Sequence, residues 1–227
     1  MRVLRGSGRF VTAADGIRTA SCFSFGTHFD PGYIGHGPLL ACNDELLAAG
    51  AGFALHRHAD IEIVTWVLSG TLTHEDDAGH RTDVPAGGVQ RLSAGWGVRH
   101  SERNASATSP LRFVQMWLRP DHYGAEPTYE CDVPSVPAGG PTDVVGDGAG
   151  VGLGTADAVL RIARLPADAR LELASAPAGF AFVATGRLAV DGAGTLEEGD
   201  ALLLNDEPAR PMALQEAQLL AWRLPAH

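Results

Sequence analysis

The chain has 227 residues, enough for one large domain or two small ones with a substantial core. Its 27 acidic residues against 17 basic ones give a formal charge of −10, which argues against nucleic acid as a direct partner, because phosphate binding needs clustered positive charge. Every basic residue is an arginine, so covalent catalysis through a lysine amine is excluded.

Abundant glycine (28) and proline (14) favour short strands and turns over long helices. Residues 43–49 (NDELLAA) read as one short helix, with Asn43 as its N-cap and Gly50 at its end. Residues 61–72 (IEIVTWVLSGTL) read as a strand, a bend at Gly70 and the start of a second strand. Turns are expected at Asp77-Ala78-Gly79 and at Pro85-Ala86-Gly87-Gly88, and a strand over residues 113–118. Residues 133–154 read as a linker or a set of loops. Strand-like segments resume at 158–165, 170–173, 180–183, 187–190, 201–204 and 219–224, with turn signals between them. The whole reads as all-β. The segment around Gly70 resembles the one around Gly186, and Pro85-Ala86-Gly87-Gly88 resembles Glu197-Glu198-Gly199-Asp200. Two copies of one small barrel would give this repeat.

Three cysteines, Cys22, Cys42 and Cys131, make no disulfide framework. No charged stretch followed by an apolar one opens the chain, and no apolar run approaches a membrane span, so no membrane partner is expected and the expected compartment is the cytoplasm.

The histidines are unevenly spread. His56-Arg57-His58 is followed by Glu62, and His100-Ser101-Glu102 by Asn104. Chance supplies about 0.3 of a His-x-His pair in such a chain, so spacing alone is a weak motif. Strand geometry strengthens it, because residues two apart point to one face. His56 and His58 then project together, as do His100 and Glu102. Were the two strands neighbours in a barrel, three imidazoles and a carboxylate would meet in its lumen. Such a donor set suits Fe, Mn, Co, Ni, Cu or Zn, and does not choose among them. It leaves one or two positions open for a substrate oxygen or O2. Glu62 is expected to orient a histidine. His74 and His80 are expected as exposed residues flanking a turn, with Glu75-Asp76-Asp77 as a solvated acidic cluster. His28 and His122 have no partner spacing.

Gly50-x5-His56-x-His58-x3-Glu62-x7-Gly70 resembles the first cupin motif, with one extra residue before the last glycine. Gly97-x2-His100-x3-Asn104 resembles the end of the second, with Gly95 where that motif has proline. More closely, residues 56–70 (HRHADIEIVTWVLSG), 74–79 (HEDDAG) and 93–102 (SAGWGVRHSE) are similar to the pirin family. Upstream, Phe23-Ser24-Phe25-Gly26, Asp30-Pro31 and Gly35-His36-Gly37-Pro38-Leu39 look like its bacterial branch. The resemblance covers roughly residues 20–120. It implies two tandem cupin barrels of the double-stranded β-helix or jelly-roll kind, with few short helices. Residues 1–131 would be the metal-binding barrel, and 132–227 a second barrel without ligands, whose only histidine is His227. By position, His56, His58, His100 and Glu102 match the family's metal ligands. The resemblance implies iron as the metal. It also implies quercetin 2,3-dioxygenase chemistry, opening a flavonol or related phenol with O2, with Glu102 also able to take the phenolic proton as general base. Its alternative is an iron-dependent regulatory protein that binds a transcription factor or metabolic enzyme. The sequence departs from the family at His36, Cys42 and Trp96. Trp96, between two glycines, would narrow the pocket entrance or offer a face to a flat phenolic ring.

Overall fold

The protein is described by a computed structural model covering residues 1–226; His227, the lone histidine expected in the second barrel, lies outside the described residues. The first part of the chain forms β1 (Arg2–Leu4), β2 (Phe10–Ala14), β3 (Ile17–Ser21), β4 (Leu39–Leu47), β5 (Gly52–His58), β6 (Glu62–Ser69), β7 (Thr71–Asp76), β8 (Arg81–Pro85), β9 (Val89–Ser93), β10 (Val98–Asn104), β11 (Leu111–Leu118) and β12 (Thr128–Asp132). The second forms β13 (Pro141–Val145), β14 (Val159–Leu165), β15 (Ala178–Thr185), β16 (Arg187–Val190), β17 (Gly194–Glu197), β18 (Ala201–Leu204), β19 (Met212–Ala213) and β20 (Ala217–Leu224). A 3₁₀ turn at Gly6–Gly8 is the one helical element among the described residues.

The strands make two cupin barrels. A seven-stranded sheet (β12-β9-β6-β11-β4-β3-β2) faces a four-stranded one (β5-β10-β7-β8) in the first. A six-stranded sheet (β1-β18-β15-β20-β14-β13) and a three-stranded one (β17-β16-β19) make the second. The N-terminal strand therefore belongs to the second barrel's sheet, with Arg2 opposite Leu203 and Leu4 opposite Ala201.

The internal repeat is real. Gly70, between β6 and β7, and Gly186, between β15 and β16, share a φ of +83°. A side chain at either would press on the start of another strand, β11 at Pro110 and Leu111 or β20 at Glu216 and Ala217. The barrels meet along their large sheets. Phe23, Trp66, Val114 and Met116 from the first pack with Phe180, Phe182, Leu220 and Trp222 from the second in one continuous apolar core. The Trp222 indole N–H donates to the Met116 sulfur at 3.1 Å. Arg112 adds a polar bridge, holding Asp44 through Nε at 2.9 Å and Glu198 through Nη1 at 2.8 Å.

Three sequence expectations need correction. Residues 43–49 are not a helix; Asn43 to Leu47 complete β4, flanked by β3 and β11. The acidic residues alternate between two buried environments, each with its own partner. Glu45 accepts from the Thr19 hydroxyl on the lumen side, and Asp44 meets Arg112 and Arg9 on the other. Tertiary pairing overrides helix propensity. The stretch 133–154 is not all loop, because β13 pairs with β14. Residues 170–173 form no continuous strand, only isolated bridges from Arg170 to Met212 and from Leu173 to Ala209.

The interiors differ. Leu165, Val183, Leu188, Leu196, Leu202 and Leu219 fill the second barrel. The first instead buries Thr65, His74, Gln90, His100 and Glu102. Burial of so many polar groups requires partners or a ligand.

Candidate metal centre

The first barrel brings the three expected histidines together. β5 and β10 are antiparallel neighbours, with His100 opposite His56 and Val98 opposite His58. Opposite residues share a face, so the two strands deliver three imidazoles to one place. Ring centroids lie 4.7 Å apart for His56 and His58, 4.6 Å for His56 and His100, and 5.0 Å for His58 and His100. One ligating nitrogen from each lies within 4.8 Å of the other two. Nitrogens sharing one ion at about 2.0–2.1 Å sit at most about 4 Å apart, so small rotations close the trio on a metal.

The bare site carries the marks of a ligand position. Both ring nitrogens of His100 are buried and unbonded. His56 donates Nδ1–H to the Ala54 carbonyl at 2.7 Å when Nδ1 carries the proton, which leaves Nε2 free to ligate. Burial, then repulsion from the neighbouring imidazoles, pushes His58 down to about 4 and His100 to about 3. Both rings are therefore neutral at pH 7, the state a metal needs. His56 and His58 are half-buried and His100 is buried, so the cluster has an open side at β5 and a dry side at β10.

Glu102 sits deeper. A register shift between His100 and Glu102 sets Glu102 opposite Phe53. Its carboxylate groups with His100 and His74 within 4.8 Å, not with His56 and His58. Two amides hold it: Gln90 Nε2 donates to Oε1 at 2.6 Å and Gln115 Nε2 to Oε2 at 2.8 Å. The amide oxygens are held in turn, that of Gln90 by the Tyr129 hydroxyl and that of Gln115 by the Trp117 indole N–H, both at 3.0 Å. Burial raises the Tyr129 pKa further, so it remains a donor. Trp117 also stands edge-on to His58 at 5.0 Å, and Phe25 edge-on to Trp117 at 5.1 Å, an aromatic wall beside the open side.

Several expectations fail here. Glu62 orients no histidine; the turn through Asp60 (φ +53°) breaks the strand between them. Its carboxylate accepts from the Ser93 hydroxyl at 2.7 Å and the Gly154 amide at 3.1 Å, pinning the chain ahead of β14 to the first barrel. His74 is not an exposed turn residue but fully buried, stacked on Tyr129 at 4.3 Å. Nor is the acidic cluster all solvated, because the Asp76 side chain is buried between His74 and His80. His80 is exposed, as expected, and so is Trp96, at 60%. His36 reaches across to the Leu204 carbonyl at 3.0 Å, joining the barrels. Sequence reasoning missed Gln90, Gln115 and Tyr129; the one available signal for His74 and Asp76 was their period-two spacing.

Known proteins resemble this chain along its whole length. The family model described as Pirin matches residues 4–118. A Mycobacterium tuberculosis protein provisionally named a quercetin 2,3-dioxygenase is 41% identical over 233 residues, covering all of this chain and 96% of its own. An Escherichia coli protein named quercetin 2,3-dioxygenase is 46% identical over 108 residues, 48% of this chain and 47% of its own. The crystal structure of the bacterial pirin YhhW from Escherichia coli in complex with nickel(II) superimposes with a TM-score of 0.92 at 30% identity, covering all of this chain and 99% of that one. Two cupin barrels, a metal-ligand cluster in the first alone among the described residues, and a full-length relative at 41% identity lead to one conclusion: the chain belongs to the pirin family.

Proposed function

We propose that the protein is a metal-dependent dioxygenase of the pirin type that opens the ring of a flavonol such as quercetin, or of a related phenol, with O2 as co-substrate. His56, His58, His100 and Glu102 hold one divalent transition metal, iron first, with nickel, copper, manganese, cobalt and zinc compatible with the same donors. Residues 1–131 carry the site, and the second barrel, built from the later strands together with β1, has no ligand cluster among the described residues. The observation that carries this reading is the meeting of three imidazoles, two of them half-buried, beside a buried carboxylate. The names of the Mycobacterium tuberculosis and Escherichia coli relatives support the reaction class.

A metal bound there supplies Lewis-acid and redox chemistry at a coordination position that the protein leaves open. The remaining work falls to the chain. Glu102 takes the phenolic proton, a step suited to a carboxylate held on two neutral amides rather than paired with a cation. Trp117 and Phe25 offer the flat ring an aromatic surface next to His58. Half-burial of His56 and His58 leaves the approach from β5 open, while the β10 side stays dry.

The test is direct. Protein loaded with iron or nickel, mixed with quercetin under O2, is expected to consume the flavonol absorption and release CO, and His56→Ala is expected to lose both. Protein that binds each of the six metals and leaves quercetin and simpler phenols untouched overturns the proposal.

A further inference from the structure

Behind the metal cluster lies a second set of buried groups that the proposed reaction does not use. His74, on β7, donates Nε2–H to the Asp76 carboxylate at 3.1 Å. Asp76 is held from its other side by exposed His80, through the backbone N–H and ring Nδ1, both at 2.9 Å. The ring of His74 lies flat on Tyr129, tilted by 15°. Its orientation is thus fixed: Nε2 is committed to Asp76, which leaves Nδ1. That Nδ1 is buried and has no partner. The nearest metal-site ring is His100, with centroids 5.4 Å apart and ring nitrogens within 4.8 Å. Both nitrogens of His100 are buried and unbonded as well.

A histidine that gives one nitrogen to a metal keeps its proton on the other, and that N–H needs an acceptor to fix the ring plane. Inside this barrel the carboxylate oxygens of Glu102 already accept from Gln90 and Gln115. The unpartnered Nδ1 of His74 lies on the ring next to His100. We infer that His74 is a positioning residue for the metal centre: locked by Asp76 and Tyr129, it takes the second ring N–H of His100 and so sets the angle at which His100 meets the ion. This rests on the reading of His56, His58 and His100 as ligands.

The experiment uses the full chain loaded with copper(II). Electron paramagnetic resonance counts the nitrogen ligands and reports their geometry, and competition with a chelator gives the affinity. His74→Phe keeps a ring against Tyr129 and removes the acceptor. It is expected to bind copper about 10- to 100-fold more weakly, with altered g values and an unchanged nitrogen count. His74→Gln, whose carbonyl can accept, recovers most of the affinity. Asp76→Asn, which no longer dictates the tautomer, moves the spectrum in the same direction as His74→Phe. Should His74→Phe fail to fold, Asp76→Asn, nearly identical in shape, decides the matter by the same readouts. A wild-type spectrum and affinity in a folded His74→Phe protein overturn the inference. So does the loss of one nitrogen from the count, which would make His74 a ligand. Copper that binds wild-type protein but is indifferent to His56→Ala refutes the ligand reading itself, and this inference with it.

Discussion

Replacing Gln115 by leucine separates the amide clamp on Glu102 from everything else in the first barrel. Leucine has nearly the same volume, so the packing against Thr65 and Trp117 survives. Three hydrogen bonds do not: the donors to Glu102 at 2.8 Å and to the Thr65 hydroxyl at 3.3 Å, and the acceptor for the Trp117 indole at 3.0 Å. Losing a bond to a charged group costs about 1.5–3 kcal/mol, and leaving a largely buried indole N–H unpaired about 1–2 kcal/mol more. The apolar side chain returns about 1 kcal/mol. The metal-free variant is therefore expected to lose about 2–4 kcal/mol, measured by urea unfolding with a chelator present. Metal at a thousand times its dissociation constant adds about 4 kcal/mol to a protein that binds it only when folded. An ion beside Glu102 also replaces part of the missing bond. The deficit of Gln115→Leu should thus shrink when metal is added, and the metal-induced gain should exceed that of the wild type. A metal-free variant within about 0.5 kcal/mol of wild type, or a deficit that metal leaves unchanged, refutes the clamp.

Other consequences are equally measurable. Burial, with repulsion from Glu102 and Asp44 opposing the Thr19 hydrogen bond, lifts Glu45 from 4.5 to about 8. The fold thus retains a proton that the unfolded chain has released. This stabilisation is complete below about pH 4.5 and is lost as pH rises to 8, at up to about 1.4 kcal/mol per pH unit. Glu45→Gln should flatten the stability profile between pH 6.5 and 8, and an unchanged slope there would discount Glu45. Trp222→Ala, at the seam of the two barrels, is expected to cost about 3–5 kcal/mol and to leave the metal ligands in place, read from the urea midpoint and from metal affinity. Deleting residues 1–5 strips β1 from the second barrel, exposes the pocket of buried Leu4 and breaks the 2.7 Å pair between Arg5 and Asp200. The summed loss of Leu4 burial and of the ladder bonds is about 3–5 kcal/mol, and a variant as stable as the full chain would show β1 to be dispensable.

Much of this was legible before the structure, for a physical reason. Strand periodicity alone places His56 with His58, and β5 and β10 bring both to His100, while Glu102 sits deeper, grouped with His100 and His74. The bend at Gly70 was readable because only glycine accommodates that backbone at low strain. What failed depended on neighbours distant in sequence. Residues 43–49 carry local helix signals, yet β3 and β11 supply Thr19 and Arg112 as partners for the acidic side chains. His74 adjoins a turn, and nothing local shows that β7 lies between β8 and β10 with Tyr129 across it. The clamp on Glu102 escaped notice for a like cause, since Gln90 and Gln115 sit in otherwise ordinary strands. Glu62 misled because the expectation that it orients a histidine overlooked the turn at Asp60.

The pairing of Arg2 with Leu203 also orders events during synthesis. β1 leaves the ribosome long before the edge it completes is translated, so it is among the last elements to find its place. Until β18 emerges, that stretch has no ladder to join, and the second barrel displays an open flank. A nascent chain halted between residues 132 and 201 would hold the strands of the first barrel with β1 unpaired, inviting the strand of a neighbouring polypeptide.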